Sequence, residues 1–130
     1  MASTHSIGTF MTRSPVVVER STTLADAIQI MFEHGFRHLP VTADGHLVGV
    51  VSERELKLVD GMAGFDKRMC VVGDFVLEAP YTVGPGASLG EVARTMAEHR
   101  HGSAVVCEGD VVVGVFTHTD ALHALAAVLP

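Results

Sequence analysis

Apolar and polar positions alternate with two different periods along this chain, and the same order of periods occurs twice. In each copy a short apolar run predicts a strand, and apolar residues at helical spacing then predict a helix. Two more apolar runs follow, separated by Asp44–Gly45 in the first copy and by Glu108–Gly109–Asp110 in the second, which predicts a hairpin. A last helix is expected to begin near Ser52 and again near Thr117. The predicted order is β-α-β-β-α, twice.

A shift of 65 residues aligns the two copies without a gap. Self-similarity at a fixed spacing is typical of a duplicated structural unit. We infer a tandem duplication, with repeat 1 over 7–60, a connection over 61–71 and repeat 2 over 72–128. Two copies related by a pseudo-two-fold axis are expected to form a cleft that holds a ligand. The identical pairs are Gly8/Gly73, Phe10/Phe75, Pro15/Pro80, Val18/Val83, Leu24/Leu89, Met31/Met96, Glu33/Glu98, His34/His99, Val41/Val106, Val48/Val113, Gly49/Gly114 and Val50/Val115.

Helix ends carry their own signals in both copies. Thr23 and Ser88 each precede a carboxylate by three residues, as in a capping box. Glycine suits the left-handed position that ends a helix, so Gly35 is predicted to end the first long helix and Gly102 the corresponding helix of the second copy.

Composition narrows the functional classes. The chain has 130 residues, a net charge of −6 and a pI near 5.7, which argues against nucleic acid or an anionic membrane as a partner. No apolar run approaches the roughly 20 residues of a membrane helix, and the N-terminus lacks the pattern of a signal peptide. Cys70 and Cys107 have no ligand-like spacing, and Cys107 lies in an apolar strand. We therefore expect a cytoplasmic protein.

The start of each last helix carries a hydroxyl residue followed three residues later by a carboxylate, Ser52 with Glu55 and Thr117 with Asp120. One interpretation is a helix cap alone. The other is a ligand site, because free N–H groups at a helix start attract an anion and a carboxylate can accept hydrogen bonds from a ribose. The pattern itself leaves both interpretations open.

Several short motifs together resemble those of a known family. Phe10-Met-Thr12, Leu39-Pro-Val41, Gly49-Val-Val-Ser52 and Gly114-Val-Phe-Thr117-His-Thr-Asp120, in a duplicated β-α-β-β-α unit, are similar to a tandem pair of CBS domains, or Bateman module. The resemblance covers almost the whole chain. It implies an α/β (α+β) fold of two pseudo-symmetric repeats packed through their sheets, and often a disc-like homodimer. It also implies a regulatory module without catalytic activity or a required cofactor, which binds AMP, ADP, ATP or S-adenosylmethionine and signals to a protein partner.

In this family a site combines the early elements of one repeat with the Ser/Thr-x-x-Asp turn of the other. Transferred to this chain, the resemblance implies one equipped site and one weaker one, because Leu77, Gly102 and Ser103 replace polar and basic residues and Glu55 replaces the aspartate. The equipped site is formed by Thr12, Arg37, His38, Leu39, Thr117, His118 and Asp120, and the weaker one by Ser103, Ser52 and Glu55.

Two other functions remain as alternatives. One is a ligand-free dimeric interaction module whose hydroxyl–carboxylate turns are only caps, with Leu122, Leu125 and Val128 as an apolar stripe for a second copy. The other is a histidine-based metal or pH sensor. We predict no dedicated metal site, because His99-x-His101 and the pair His118 and His123 lack cysteine or carboxylate partners at ligand spacing. No nucleophile–base arrangement is apparent, so we expect no enzymatic activity.

Overall fold

The computed structural model of the protein describes residues 5–13, 16–64, 66–75 and 79–129. Over these residues it is a mixed α/β structure with two sheets and five α-helices, which confirms the predicted fold class and the duplicated β-α-β-β-α order. No helix in this described part is long and apolar enough to cross a membrane. The helices are α1 (Ile7–Phe10), α2 (Leu24–His34), α3 (Glu53–Asp60), α4 (Leu89–His99) and α5 (His118–Val128). The strands are β1 (Thr12–Arg13), β2 (Val18–Glu19), β3 (His38–Ala43), β4 (His46–Ser52), β5 (Thr82–Val83), β6 (Ser103–Glu108) and β7 (Val111–Thr117).

The chain forms two compact units. The terminal unit combines residues 1–15 with 81–130, and the middle unit consists of residues 16–80. These units divide the chain differently from the sequence repeats, because the first segment of the chain packs with the second repeat. The boundaries 7–60 and 72–128 stay a prediction about the duplication.

The sheet of the terminal unit has the order β1-β7-β6-β5. β5 runs parallel to β6, whereas β6–β7 and β1–β7 are antiparallel. The sheet of the middle unit has the order β2-β3-β4, with β2 parallel to β3 and β3 antiparallel to β4. The parallel pair in each unit is joined through α2 or α4, as a crossover connection requires.

Both hairpins carry the same irregularity. The register shifts between Val41 and Thr42 in the middle unit and between Val106 and Cys107 in the terminal unit. These positions are 65 residues apart, so the bulge was duplicated with the sequence. Each bulge adds local twist to its hairpin.

A helical turn at the start of the chain attaches to the terminal unit through its backbone. Ile7 N–H donates to the Ala87 carbonyl at 2.9 Å, and Gly8 N–H donates to the Pro85 carbonyl at 2.8 Å. A Cβ atom on Gly8 would lie 2.9 Å from that Pro85 oxygen. Only glycine therefore allows this close approach.

The corresponding turn of the second repeat attaches to the middle unit in the same way. Val72 N–H donates to the Thr22 carbonyl at 2.8 Å, and Gly73 N–H donates to the Arg20 carbonyl at 2.9 Å. A Cβ atom on Gly73 would lie 2.8 Å from Arg20 Cβ and 2.9 Å from Arg20 O. Each repeat thus places its first turn on the unit that holds most of the other repeat.

Each unit has its own apolar core, formed by the inward faces of its helices and strands. In the terminal unit the buried cluster comprises Ile7, Val92, Met96, Ala104, Val106 and Phe116. In the middle unit it comprises Val18, Leu24, Ala27, Met31, Leu39, Val41, Val51, Leu56 and Val72. Ile7 and Val72, the equivalent residues of the two attached turns, are both fully buried, so burial of these side chains holds the turns in place.

The helix ends agree with the sequence signals at all but one position. The Thr23 and Ser88 hydroxyls accept from backbone N–H groups three residues later, as predicted. Gly35 ends α2 in the left-handed conformation, with φ of 68°. The prediction for Gly102 is wrong, because Arg100 takes the left-handed position that ends α4, with φ of 57°.

Candidate functional site

The candidate site is built on the start of α5, where β7 ends. Thr117 is the N-cap residue of this helix, and its hydroxyl accepts from Asp120 N–H at 3.4 Å. In return Thr117 N–H donates to Asp120 Oδ2 at 2.9 Å, which completes a capping box. The structure therefore confirms that Thr117 and Asp120 cap α5.

A third residue reaches the same carboxylate from the other end of the sequence. The Thr12 hydroxyl, on β1, lies 3.1 Å from Asp120 Oδ1 and 3.3 Å from Oδ2. A helix cap needs no such contact, because Thr117 and Asp120 already satisfy one another. The structure thus brings together three of the predicted site residues, Thr12, Thr117 and Asp120, and we call them the Asp120 cluster.

The position of Thr12 is fixed by the backbone around it. Thr12 lies opposite Val115 in the β1–β7 ladder, and Arg13 lies opposite Gly114. A Cβ atom on Gly114 would collide with the Met11 sulfur and would lie 3.0 Å from the Thr12 carbonyl oxygen. Gly114 therefore allows β1 to come close enough for the Thr12 hydroxyl to reach Asp120.

The Asp120 cluster retains capacity for a ligand. An ionised carboxylate oxygen can accept about two hydrogen bonds. Oδ2 accepts from Thr117 N–H and from the Thr117 hydroxyl at 3.2 Å, whereas Oδ1 accepts from Thr12. The cluster is half-buried, and the first N–H groups of α5 have no acceptor within the helix. The cluster can therefore accept a hydroxyl donor at Oδ1, and the adjacent start of α5 offers N–H groups and a positive helix end to an anion.

The equivalent helix start in the middle unit is arranged differently. The Ser52 hydroxyl accepts from Glu55 N–H at 3.3 Å and lies 2.9 Å from Glu55 Oε1. The residue that corresponds to Thr12 is Leu77, which lies outside the described residues and has no hydroxyl to offer. The Glu55 carboxylate accepts from the hydroxyl of its own cap, as Asp120 does, and the difference between the two helix starts is the position equivalent to Thr12.

The remaining residues predicted for the equipped site belong to both units. His118 is the exposed first residue of α5. Arg37, His38 and Leu39 belong to the middle unit: Arg37 is exposed, His38 lies opposite Ser52 in the ladder, and the Leu39 side chain is fully buried in the core. Their part in ligand binding stays a prediction.

Ser103 was predicted for the weaker site, together with Ser52 and Glu55. It belongs to the terminal unit, where it is buried and lies opposite Thr117 in the β6–β7 ladder. Ser52 and Glu55 belong to the middle unit and contact one another. The role of these residues in a second site also stays a prediction.

Sequence reasoning missed a stack of rings next to the start of α5. Tyr81 stacks on His101 with ring centroids 4.9 Å apart, and His101 stacks on His99 at 5.6 Å. His118 Nε2 lies 3.2 Å from the His101 carbonyl oxygen. The duplicated sequence contains a signal for this stack, because the positions equivalent to His99 and His101 also hold ring side chains.

Those equivalent rings are His34 and Phe36 in the middle unit. They stack with centroids 5.5 Å apart and an interplanar angle of 12°. The stacked pair is therefore a duplicated feature of the turn that follows α2 and α4.

Metal binding and thiol chemistry are two other possible uses of polar residues in the described ranges. No group of three or more His, Cys, Asp or Glu side chains in the described ranges is placed to hold a metal ion. Burial raises the pKa of the Cys107 thiol, and the negative charge of Asp110 raises it further. This thiol is therefore held in its protonated, weakly nucleophilic form.

The comparison with protein families agrees with this geometry. The CBS domain matches the chain twice, over residues 7–59 and 72–127. These matches cover most of the chain and both β-α-β-β-α repeats. The protein belongs to the CBS domain family and contains a tandem CBS pair.

Known relatives include both whole proteins of similar size and longer ones. Hypoxic response protein 1 of Mycobacterium tuberculosis is 30% identical over 99 residues, which are 75% of this chain and 69% of that protein. Inosine-5'-monophosphate dehydrogenase of Korarchaeum cryptofilum is 28% identical over 115 residues, 88% of this chain but only 23% of that protein. The chain thus spans about a quarter of the longer relative.

Two solved structures show the same fold with a ligand or metal. CBSX2 in complex with AMP is 29% identical, with a TM-score of 0.76, and the match covers 95% of this chain and 98% of that one. CBSX2 comes from Arabidopsis thaliana. Hypoxic Response Protein I with two coordinated zinc ions is 28% identical, with a TM-score of 0.78, and the match covers 97% of this chain and 100% of that one.

Proposed function

We propose that this protein is a regulatory module that binds an adenosyl nucleotide at the Asp120 cluster and does not catalyse a reaction. The observation that carries the proposal is the contact of Thr12 with the Asp120 carboxylate. It builds a polar site from two distant segments of the chain, which a simple helix cap does not require. The similarity to CBSX2, whose structure contains AMP, supports the choice of ligand.

In the proposed complex the Asp120 cluster and the adjacent start of α5 have distinct tasks. Asp120 Oδ1 accepts a hydrogen bond from a ribose hydroxyl. The first N–H groups of α5, at His118 and Thr119, donate to a phosphate oxygen, and the helix dipole favours its negative charge. For Arg37, His38 and Leu39 we propose the ligand contacts that the family resemblance implies.

Thermal unfolding in the presence of AMP, ADP, ATP and S-adenosylmethionine tests the proposal. A ligand at about 100 times its Kd adds roughly 2.7 kcal/mol to the free energy of unfolding. For a chain of this length we expect a rise in Tm of several degrees, roughly 3–6 °C per kcal/mol. If none of the four compounds at millimolar concentration changes Tm, the proposal is wrong.

We further propose that the protein signals occupancy to a protein partner as a homodimer. In the terminal unit, α4 and α5 form a groove of about 380 Å³ whose walls are mainly small and apolar. Leu125 and Val128 line it and remain 52% and 39% exposed. Neither α4 nor α5 places a charged side chain among the residues that line the groove, so an apolar helix of a second copy suits it.

Light scattering tests the dimer with a matched pair of variants. Leu125→Glu places a charge in the groove and is expected to shift the mass toward the monomer. His123→Glu adds the same charge on the exposed side of the same helix and is expected to leave the mass unchanged. A monomeric wild-type protein at tens of micromolar, or equal behaviour of the two variants, contradicts this proposal.

The groove also favours a second candidate function, a dimeric interaction module without a nucleotide. The complete capping box at Thr117 and Asp120 fits that function as well. The ligand panel separates the two candidates, because only the first predicts a rise in Tm with a nucleotide.

A further inference from the structure

The hydrogens of two hydroxyl groups in the Asp120 cluster point inward. A threonine hydroxyl has one hydrogen to donate and two lone pairs to accept with. The Thr12 hydroxyl donates to the Asp120 carboxylate, with 3.1 Å to Oδ1 and 3.3 Å to Oδ2. The Thr117 hydroxyl donates to Oδ2 at 3.2 Å. Neither hydroxyl hydrogen is left to donate to a ligand phosphate.

We propose that Thr12 is a positioning residue, which orients the Asp120 carboxylate for a ligand hydroxyl and does not bind the phosphate. This inference rests on the proposed function and assigns the role of one of its residues. Thr117 N–H and the Thr117 hydroxyl donate to Oδ2, and the Thr12 hydroxyl reaches Oδ1 and, at the longer distance, Oδ2, so the carboxylate is held from both sides and the direction of Oδ1 is fixed. A ligand hydroxyl then occupies the remaining lone pair of Oδ1.

The backbone supports this role. Thr12 is held in the β1–β7 ladder opposite Val115. The two strands approach so closely that a Cβ atom on Gly114 would lie 3.0 Å from the Thr12 carbonyl oxygen. Thr12 is thus a fixed donor on a strand, whereas Asp120 sits on a helix. A carboxylate held from two elements is restricted to one rotamer before the ligand arrives, which lowers the entropy lost on binding.

The inference also defines the ligand class more closely. The groups that the cluster turns outward are a carboxylate oxygen and hydroxyl lone pairs, all of which are acceptors. They select a ligand with free ribose hydroxyls and disfavour an anionic group at the same place. The nucleotide phosphate must then be bound by other groups, so loss of the Thr12 hydroxyl should affect a nucleoside and its nucleotide equally.

The experiment compares Thr12→Val and Thr12→Ser with the wild type, using calorimetry with adenosine and with AMP. Valine keeps the β-branched shape of threonine, so β1 should be retained. We expect Thr12→Val to weaken both ligands by the same factor, roughly 10-fold, and Thr12→Ser to restore most of the affinity. In an Asp120→Ala background, Thr12→Val should cause little further loss. A loss for AMP without a loss for adenosine, or a full loss that persists without Asp120, overturns the inference.

Failure of the proposed function gives a different result. If wild-type protein binds neither adenosine nor AMP, the nucleotide proposal is wrong and Thr12 has no ligand to position. The contact itself is then judged by a double-mutant cycle in thermal unfolding. Additive losses in Tm from Thr12→Val and Asp120→Ala show that the two residues do not interact, whereas non-additive losses retain the contact as a structural one.

Discussion

The starts of α3 and α5 carry the same duplicated motif, but their carboxylates accept hydrogen bonds from different sets of donors. At α5, Asp120 accepts from the backbone N–H and the hydroxyl of its cap, Thr117, and also from Thr12 on a distant strand. At α3, Glu55 bonds to the hydroxyl of its own cap, Ser52. The Glu55 side chain is one methylene longer than that of Asp120, and Leu77 stands at the position equivalent to Thr12. Small changes in side-chain length and hydrogen-bonding ability thus accompany different sets of hydrogen bonds at the two helix starts.

The features that hold the fold together changed much less than the polar chemistry. Both units retain a glycine-mediated attachment of the first turn, the bulge in the hairpin and a hydroxyl at the start of each long helix. The comparison therefore predicts equal responses where packing is duplicated and unequal ones where the site has diverged.

The largest expected effect is on the attached turns. Gly8→Ala and Gly73→Ala place a Cβ 2.9 Å from Pro85 O and 2.8 Å from Arg20 Cβ, respectively. We expect each change to lower the free energy of unfolding by about 1–3 kcal/mol, as overpacking does. Thermal unfolding should show a fall in Tm of roughly 3–6 °C per kcal/mol in both variants.

Gly84→Ala is the control for these two changes, because a Cβ at Gly84 would meet nothing within 4 Å. Its Tm should stay close to that of the wild type. A loss for Gly8→Ala without one for Gly73→Ala contradicts the equivalence of the two attachments.

The next effect distinguishes the two caps. Thr117→Ala removes a cap and a hydroxyl that bonds to Asp120, so we expect a loss of about 1–2 kcal/mol. Ser52→Ala likewise removes a cap hydroxyl that bonds to a carboxylate, Glu55, but at the start of the shorter helix α3, and should cost about 0.5–1 kcal/mol. Thr119→Ala, at an exposed position of α5, should stay within about 0.5 kcal/mol of the wild type and serves as the control. Chemical denaturation measures all three, and a larger loss at Ser52 reverses the comparison.

The smallest effect concerns the equivalent bulge positions, which hold Thr42 in one unit and Cys107 in the other. Burial and then the charge of Asp110 raise the pKa of Cys107. Removing that charge in Asp110→Asn should lower the pKa, increase the thiolate fraction at pH 8 and speed alkylation of Cys107. Site-resolved mass spectrometry measures the rate, with Asp44→Asn as the control. An unchanged rate would show that Asp110 does not act on the thiol.

The sequence predicts those parts of the fold whose causes are local. Capping hydroxyls, the turn glycines and the helical spacing of apolar residues depend on neighbours within a few positions, and these predictions are confirmed at Thr23, Gly35 and Ser88. Arg100 was not predicted at the end of α4, because a non-glycine residue in the left-handed region is uncommon and the sequence gives no signal for it.

The candidate site depends on contacts that local patterns do not encode. β1 has only two residues, and its pairing with β7 joins positions about 100 residues apart, so nothing near Thr12 shows that its hydroxyl reaches Asp120. Only the family resemblance predicts that Thr12 and Asp120 share a site. The direction of each hydrogen bond required the geometry.

The most direct test of the account compares nucleotide affinity in Asp120→Ala and Glu55→Ala by calorimetry, well below both melting temperatures. A hydrogen bond to a carboxylate contributes roughly 1.5–3 kcal/mol, so Asp120→Ala should weaken the nucleotide about 10- to 100-fold. Glu55→Ala should change the affinity far less, and the wild type should bind about one tight nucleotide per chain. Equal losses in the two variants, or two equal sites in the wild type, would contradict the difference between the two helix starts.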